Sequence, residues 1–139
     1  MIVYDAKALA RAAVEAAKRA YNPYSGYQVG AALLTKDGTT YSGCNIENAA
    51  YSATICAERT AISKAVSDGH REFVALAVCT PNGGTPCGIC RQVINEFGEK
   101  LPIIITTEAG IQYETTLDKL LPDAFGPRHM QHKLNPTGD

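Results

Sequence analysis

The chain has no apolar run near the roughly 20 residues that a membrane-spanning helix needs. It has no excess of charge of either sign, because 13 Lys and Arg face 14 Asp and Glu for a formal charge of −1. That balance argues against a surface whose main task is to hold nucleic-acid phosphates. No basic stretch leading into an apolar one opens the sequence, so no secretory signal is expected. Internal repeats are absent as well. What the chain does have is 45% hydrophobic and only 19% charged residues in a length of 139, enough apolar material for a core. The expectation is a soluble cytoplasmic protein: a single domain over 1–125 and a tail over 126–139 that has two prolines, two glycines and no apolar period.

Short helical and extended signals alternate along the chain. Asp5 is placed to cap a helix over about 6–20, with Leu9, Ala13, Ala17 and Ala20 on one face. Pro23 and Gly26 stop it. Residues 28–36 and 39–45 flank Asp37-Gly38, which reads as a hairpin with a type I′ turn. A polar loop over 45–54 leads to a helix over 55–67, closed by Gly69. The continuous apolar runs 73–80 and 101–107 are marks of strands buried on both faces, and a helix opening at Pro86-Cys87 lies between them. Residues 112–117 predict an edge strand, and 117–121 a short helix. Together these predict a three-layer α/β/α sandwich around a mixed, mostly buried five-stranded sheet.

Five cysteines, at 44, 56, 79, 87 and 90, are an odd number in a chain without a secretory signal. A disulfide framework is therefore disfavoured, and metal binding or redox chemistry favoured. Cys56-Ala57-Glu58-Arg59 sits where a loop becomes a helix, and Pro86-Cys87-Gly88-Ile89-Cys90 sits at the start of the next. A helix N-terminus lowers a thiol's pKa, and the thiolate is the form that binds zinc. Cys87 and Cys90, three apart, share a helix face. No histidine stands at a fourth ligand spacing, since His70, His129 and His132 all lie elsewhere. Three protein ligands with one open position is the catalytic arrangement of zinc, whereas Cys87 and Cys90 alone also suit a thioredoxin-like redox pair. Glu58, two residues after one thiol, is placed to move protons at a metal site.

The combination of Cys-x-Glu with Pro-Cys-x-x-Cys is the signature of zinc deaminases, in which the Glu is acid and base rather than ligand. The segments 22–38, 43–62, 86–97 and 120–127 resemble, in that order, the cytidine deaminase family, and in particular its short branch that works as a homotetramer. This resemblance implies one Zn²⁺ per subunit on Cys56, Cys87 and Cys90. It further implies hydrolytic deamination of free cytidine and 2′-deoxycytidine to the uridines and ammonia, in pyrimidine salvage. Zinc-bound hydroxide would attack C4 while Glu58 carries protons to N3 and the amino group. Asn45 and Glu47 match the positions that grip the ribose, and Ala57 and Tyr27 match positions around the substrate. At Tyr27 the family pattern has phenylalanine, so this chain carries an extra hydroxyl that must find a partner or water.

Tyr51 matches a segment at the subunit junction, and Phe125 the aromatic residue that reaches over a neighbour's base. Active sites at subunit junctions follow from that match. Arg59 has a physical argument of its own. Zinc with three thiolates carries net −1, and a guanidinium hydrogen bonding to a bound sulfur would draw off the excess. Cys44 and Cys79 fit no ligand spacing; Cys79 reads as a buried thiol, Cys44 near the ribose segment as a buried or a reactive one, and Arg91 has no assigned role. Blasticidin-type deaminases share the cysteine motif, but Asn45-Ile46-Glu47-Asn48 favours a nucleoside. The lack of a basic run and the Cys-x-Glu start disfavour a nucleic-acid editing enzyme.

Overall fold

The computed structural model describes residues 2–130. Helix α1, Ala6–Ala17, begins where predicted, with the Ala8 amide donating to the Asp5 carboxylate at 3.0 Å. It ends three residues before the predicted Ala20. The amides of Lys18, Arg19 and Ala20 reach back to carbonyls only three residues earlier, which tightens the last turn. The Tyr21 amide then leaves the helix for the Asn45 carbonyl at 3.0 Å.

Strands β1, Gly30–Thr35, and β2, Thr40–Cys44, form the predicted hairpin with shorter arms. Val29 stays outside β1 because its amide is taken by the Asn45 side chain. The turn is not type I′, which would need positive φ at both Asp37 and Gly38. Among the described non-glycine residues only Asp123 has positive φ, whereas Gly38 lies at +92°. The Gly38 amide donates to the Thr35 carbonyl and the Thr35 amide to that of Thr39, giving a type I turn followed by a left-handed glycine. Asp37 takes the Thr35 hydroxyl and the Thr39 amide on one oxygen, and this stabilises the right-handed conformation at its own position.

Helix α2 spans Ala57–Ser67 and α3 Gly88–Phe97, and their N-caps are Cys56 and Cys87. Strands β3, Phe73–Cys79, and β4, Pro102–Thr107, pair in parallel, joined by α3, while β5, Gly110–Thr116, runs antiparallel at the edge. The order β2-β1-β3-β4-β5 makes one mixed five-stranded sheet. The short helix α4, Leu117–Leu120, follows.

Because side chains alternate across a strand, the two apolar runs supply both faces of the sheet. Ala75, Ala77 and Ile104 pack with Ala32 under α1, whereas Leu76, Val78, Ile103 and Ile105 pack with Leu33 under α2 and the Ile94 side of α3. Each such fully buried Leu or Ile contributes about 1.5–3 kcal/mol. Glycine sets how close the helices lie. A Cβ on Gly30 would fall 2.1 Å from the Ala13 carbonyl oxygen, and one on Gly43 would fall 2.6 Å from both the Ala57 oxygen and the Ala61 nitrogen. The second contact presses the first turn of α2, which carries Cys56 and Glu58, onto β2.

The predicted unstructured tail begins differently. Pro127–His129 form a single 3₁₀ turn, and the carbonyl of Phe125 just before it accepts from Gln92 Nε2 at 2.8 Å and Asn95 Nδ2 at 3.2 Å. Polar clamps from α3 hold this backbone, so it needs no apolar period. The rest of that prediction, 131–139, lies outside the described residues. Among the described residues, no helix is long and apolar enough to cross a membrane.

Candidate metal centre and active site

Helices α2 and α3 begin beside one another, so their capping cysteines meet. The Sγ atoms of Cys56, Cys87 and Cys90 lie within 4.8 Å of one another, and among the described residues no other group of His, Cys, Asp or Glu is set to share an ion. Cys56 and Cys87 are 3.8 Å apart. Sulfurs held tetrahedrally at about 2.3 Å from one zinc ion are themselves about 3.8 Å apart, so the donor set has the right type and spread. Cys90 is buried, Cys56 half-buried and Cys87 exposed, so the cluster meets solvent on its Cys87 side.

The thiols are not equivalent. A hydrogen bond with Cys90, followed by one from Arg59, holds Cys56 down at about 5, well below the usual thiol range. The same pairing with Cys56, together with burial, pushes Cys90 up. Arg59 Nη2 donates to Cys56 Sγ at 3.5 Å, and its Nε is buried with no hydrogen-bond partner among the described residues. The bond from arginine to sulfur expected from the sequence is therefore present. Glu58, in the first turn of α2, is only 4% exposed. Burial raises its carboxyl to about 7, with the charge on Cys56 adding to the effect. A carboxyl in that range can both take and give a proton near neutral pH.

Asn45 and Glu47 grip the backbone between Tyr24 and Val29. Asn45 is nearly buried, with Nδ2 donating to the Tyr27 carbonyl at 2.7 Å and Oδ1 accepting from the Val29 amide at 3.0 Å. One N–H and one acceptor lone pair of that amide remain for a ligand. Glu47 accepts from the amides of Tyr24 and Ser25 at 3.0 and 3.1 Å and from the Ser25 hydroxyl at 2.5 Å, and the Ser25 hydroxyl bond holds its carboxylate below its ordinary value. Tyr24, Ser25, Glu47, Tyr51 and Thr54 line a pocket of about 360 Å³. Tyr51 is 75% exposed and meets Tyr24 edge-on, with ring centroids 5.8 Å apart. Phe125 is 59% exposed and stacks on His129, while its carbonyl is held by Gln92 and Asn95. Ala57 is fully buried at the start of α2.

Two roles were not visible in the sequence. Arg91 donates to the Pro86 carbonyl at 2.7 Å, the Thr85 hydroxyl at 2.8 Å and the Leu120 carbonyl at 2.6 Å, so it fixes the residues just before Cys87. Asn82 takes the Tyr27 hydroxyl at 2.6 Å. No local signal marks either one, because their partners are set by the fold.

Residues 4–106 match the family described as the cytidine and deoxycytidylate deaminase zinc-binding region. The chain belongs to this family. Its relatives include a cytidine deaminase of Sporosarcina psychrophila, 53% identical over 131 residues, with 92% of this chain and 96% of that one covered. Another, from Halalkalibacterium halodurans, is 46% identical over 129 residues, covering 91% and 98% of the two chains. Among solved structures, the cytidine deaminase of Burkholderia pseudomallei superposes with a TM-score of 0.82 at 44% identity, over 88% of this chain and all of that one. The family match takes in the three cysteines, Glu58, Asn45 and Glu47, and stops short of Phe125.

Proposed function

We propose that the protein is a zinc-dependent cytidine deaminase that converts free cytidine and 2′-deoxycytidine to uridine and 2′-deoxyuridine with release of ammonia, a reaction of pyrimidine salvage in the cytoplasm. The observation that carries this reading is the meeting of three thiols at two helix N-termini beside a buried carboxyl. Cys56, Cys87 and Cys90 would hold one zinc ion per subunit. Bound there, zinc supplies the acidity that makes water a nucleophile at neutral pH.

The other tasks fall to side chains. Glu58 would take a proton from water as its oxygen adds to C4 and deliver it to N3, then take the second proton from the new C4 hydroxyl and transfer it to the departing amino group. Cytidine and water thereby become uridine and ammonia, with Glu58 returned to its starting state. Arg59 neutralises part of the thiolate charge through Cys56. Asn45 and Glu47 hold the ribose hydroxyls, while Tyr27 and Ala57 border the base. Tyr51 and Phe125, both exposed here, complete sites at the junctions of a homotetramer.

Measuring zinc per chain together with the ultraviolet change on adding cytidine tests this reading. One zinc per chain with conversion to uridine is the expected result. Zinc without conversion would move the substrate to a different base or nucleoside. If zinc is absent and no turnover appears after it is restored, the Cys87–Cys90 pair reverts to a redox role.

A further inference from the structure

Tyr27 and Asn82 are 55 residues apart in sequence and belong to different segments of the candidate site. Tyr27 lies in the stretch that Asn45 and Glu47 hold by its backbone. Asn82 lies in the loop that runs from the end of β3 to Cys87. Side chains tie that loop in two further places: the Gly84 amide donates to the Thr80 hydroxyl at 2.8 Å, and Arg91 grips Thr85 and Pro86. Both of those ties stay within the β3–α3 unit. Among the described side-chain hydrogen bonds, the 2.6 Å bond from the Tyr27 hydroxyl to Asn82 Oδ1 is the one that joins the loop to the Tyr24–Val29 segment. The contact is also close. A Cβ on Gly84 would lie 3.2 Å from the Tyr27 oxygen, so the glycine lets the hydroxyl seat against the loop.

A phenylalanine at this position would present the same ring but could not make the bond. We propose that Tyr27 and Asn82 are a positioning pair, in which the Tyr27 hydroxyl locks the aromatic face at the substrate side to the loop that delivers Cys87. The inference rests on the cytidine deaminase reading of the site and deepens it. The tyrosine hydroxyl does not contact substrate: it is engaged within the chain and acts by fixing where the ring and the loop stand relative to each other. Ring placement governs how well the base is held, whereas proton transfer through Glu58 is untouched. The pair therefore acts on KM and on metal retention and leaves kcat alone.

The test is a double-mutant cycle on the zinc-loaded enzyme, using Tyr27→Phe, Asn82→Ala and both together. Each is read by kcat, by KM for cytidine and by the rate of zinc loss to a chelator. A net hydrogen bond of ordinary strength predicts that each single change raises KM about three- to ten-fold, with kcat within about two-fold of the parent. Zinc loss accelerates in step, and the double variant is no worse than either single one. Asn82→Asp keeps the acceptor oxygen and should restore KM to near the parental value. Effects that add in the double variant would overturn the proposal. So would a fall in kcat at constant KM, or an Asn82→Asp variant that behaves like Asn82→Ala. An unchanged KM in Tyr27→Phe would overturn it also. A parent protein that neither holds zinc nor converts cytidine removes the underlying reading, and that outcome is visible before any variant is made.

Discussion

Among the described carboxylates, Glu58 stands apart by being buried beside thiols. Its neighbours at the start of α2 set its electrostatics: Cys56 and Arg59 form a bonded pair of opposite charge, and the charge on Cys56 adds to burial in raising the carboxyl. Replacing it by glutamine keeps size and polarity and removes the proton. Glu58→Gln should therefore lower kcat by about 10²–10⁴-fold, while zinc per chain stays at the parental level. Turnover at the parental rate in a zinc-loaded Glu58→Gln protein would refute the proton-carrying role. At this scale the sequence was informative for residues whose placement is marked by spacing, namely the three cysteines that meet and Glu58 at the start of α2. It was silent for Arg91, whose three acceptors are carbonyls and a hydroxyl brought together by folding.

At the scale of elements, the site depends on where α2 starts. Gly43 of β2 touches the Ala57 and Ala61 backbone, so any side chain there must push the helix away. Gly43→Ala should cost about 1–3 kcal/mol in a urea titration and also reduce activity and zinc retention, because the displaced turn carries Cys56 and Glu58. A Cβ on Gly88, at the start of α3, would meet nothing within 4 Å, so Gly88→Ala serves as the control that leaves stability near the parental value. The β1–β2 turn offers a different measurement. The Thr35 hydroxyl, then the Thr39 amide, hold Asp37 down at about 2, against an ordinary 3.8. A carboxylate that holds its proton less tightly when folded adds stability that is complete above about pH 4 and disappears as pH falls toward 2. Asp37→Asn should flatten the pH dependence of the unfolding midpoint across that window, and an unchanged slope would show that the turn does not depend on the charge.

At the scale of the whole molecule, several aromatic side chains, among them Tyr51 and Phe125, stand exposed. Phe125 is the clearest case, its carbonyl held by Gln92 and Asn95 and its ring open to solvent. A fixed backbone presenting an uncovered apolar side chain suits a surface that a second copy completes. Phe125→Ala should leave the melting temperature of the isolated fold nearly unchanged, raise KM for cytidine and weaken the proposed homotetramer in sedimentation velocity. Full activity in a parent protein that sediments as a monomer would remove the shared-site reading and the role of Phe125 together.

What the sequence determined by itself are the features written in short stretches of chain. The Asp5 cap, the cysteines at two helix starts and the apolar runs of β3 and β4 are local patterns, and each is found where its spacing puts it. The alternation of those patterns was sufficient for a mixed sheet between helix layers. The tertiary structure decided what depends on distant groups. The end of α1 follows from the pull of Asn45 on Tyr21, and the form of the hairpin turn from hydrogen bonds that an Asp-Gly pair alone does not specify. The C-terminal turn is held by Asn95, 30 residues earlier than its acceptor, and Tyr27 meets Asn82 across 55 residues. Local propensity is a property of neighbours in the chain, whereas these bonds exist only once the sheet has brought remote segments within 3.2 Å of each other.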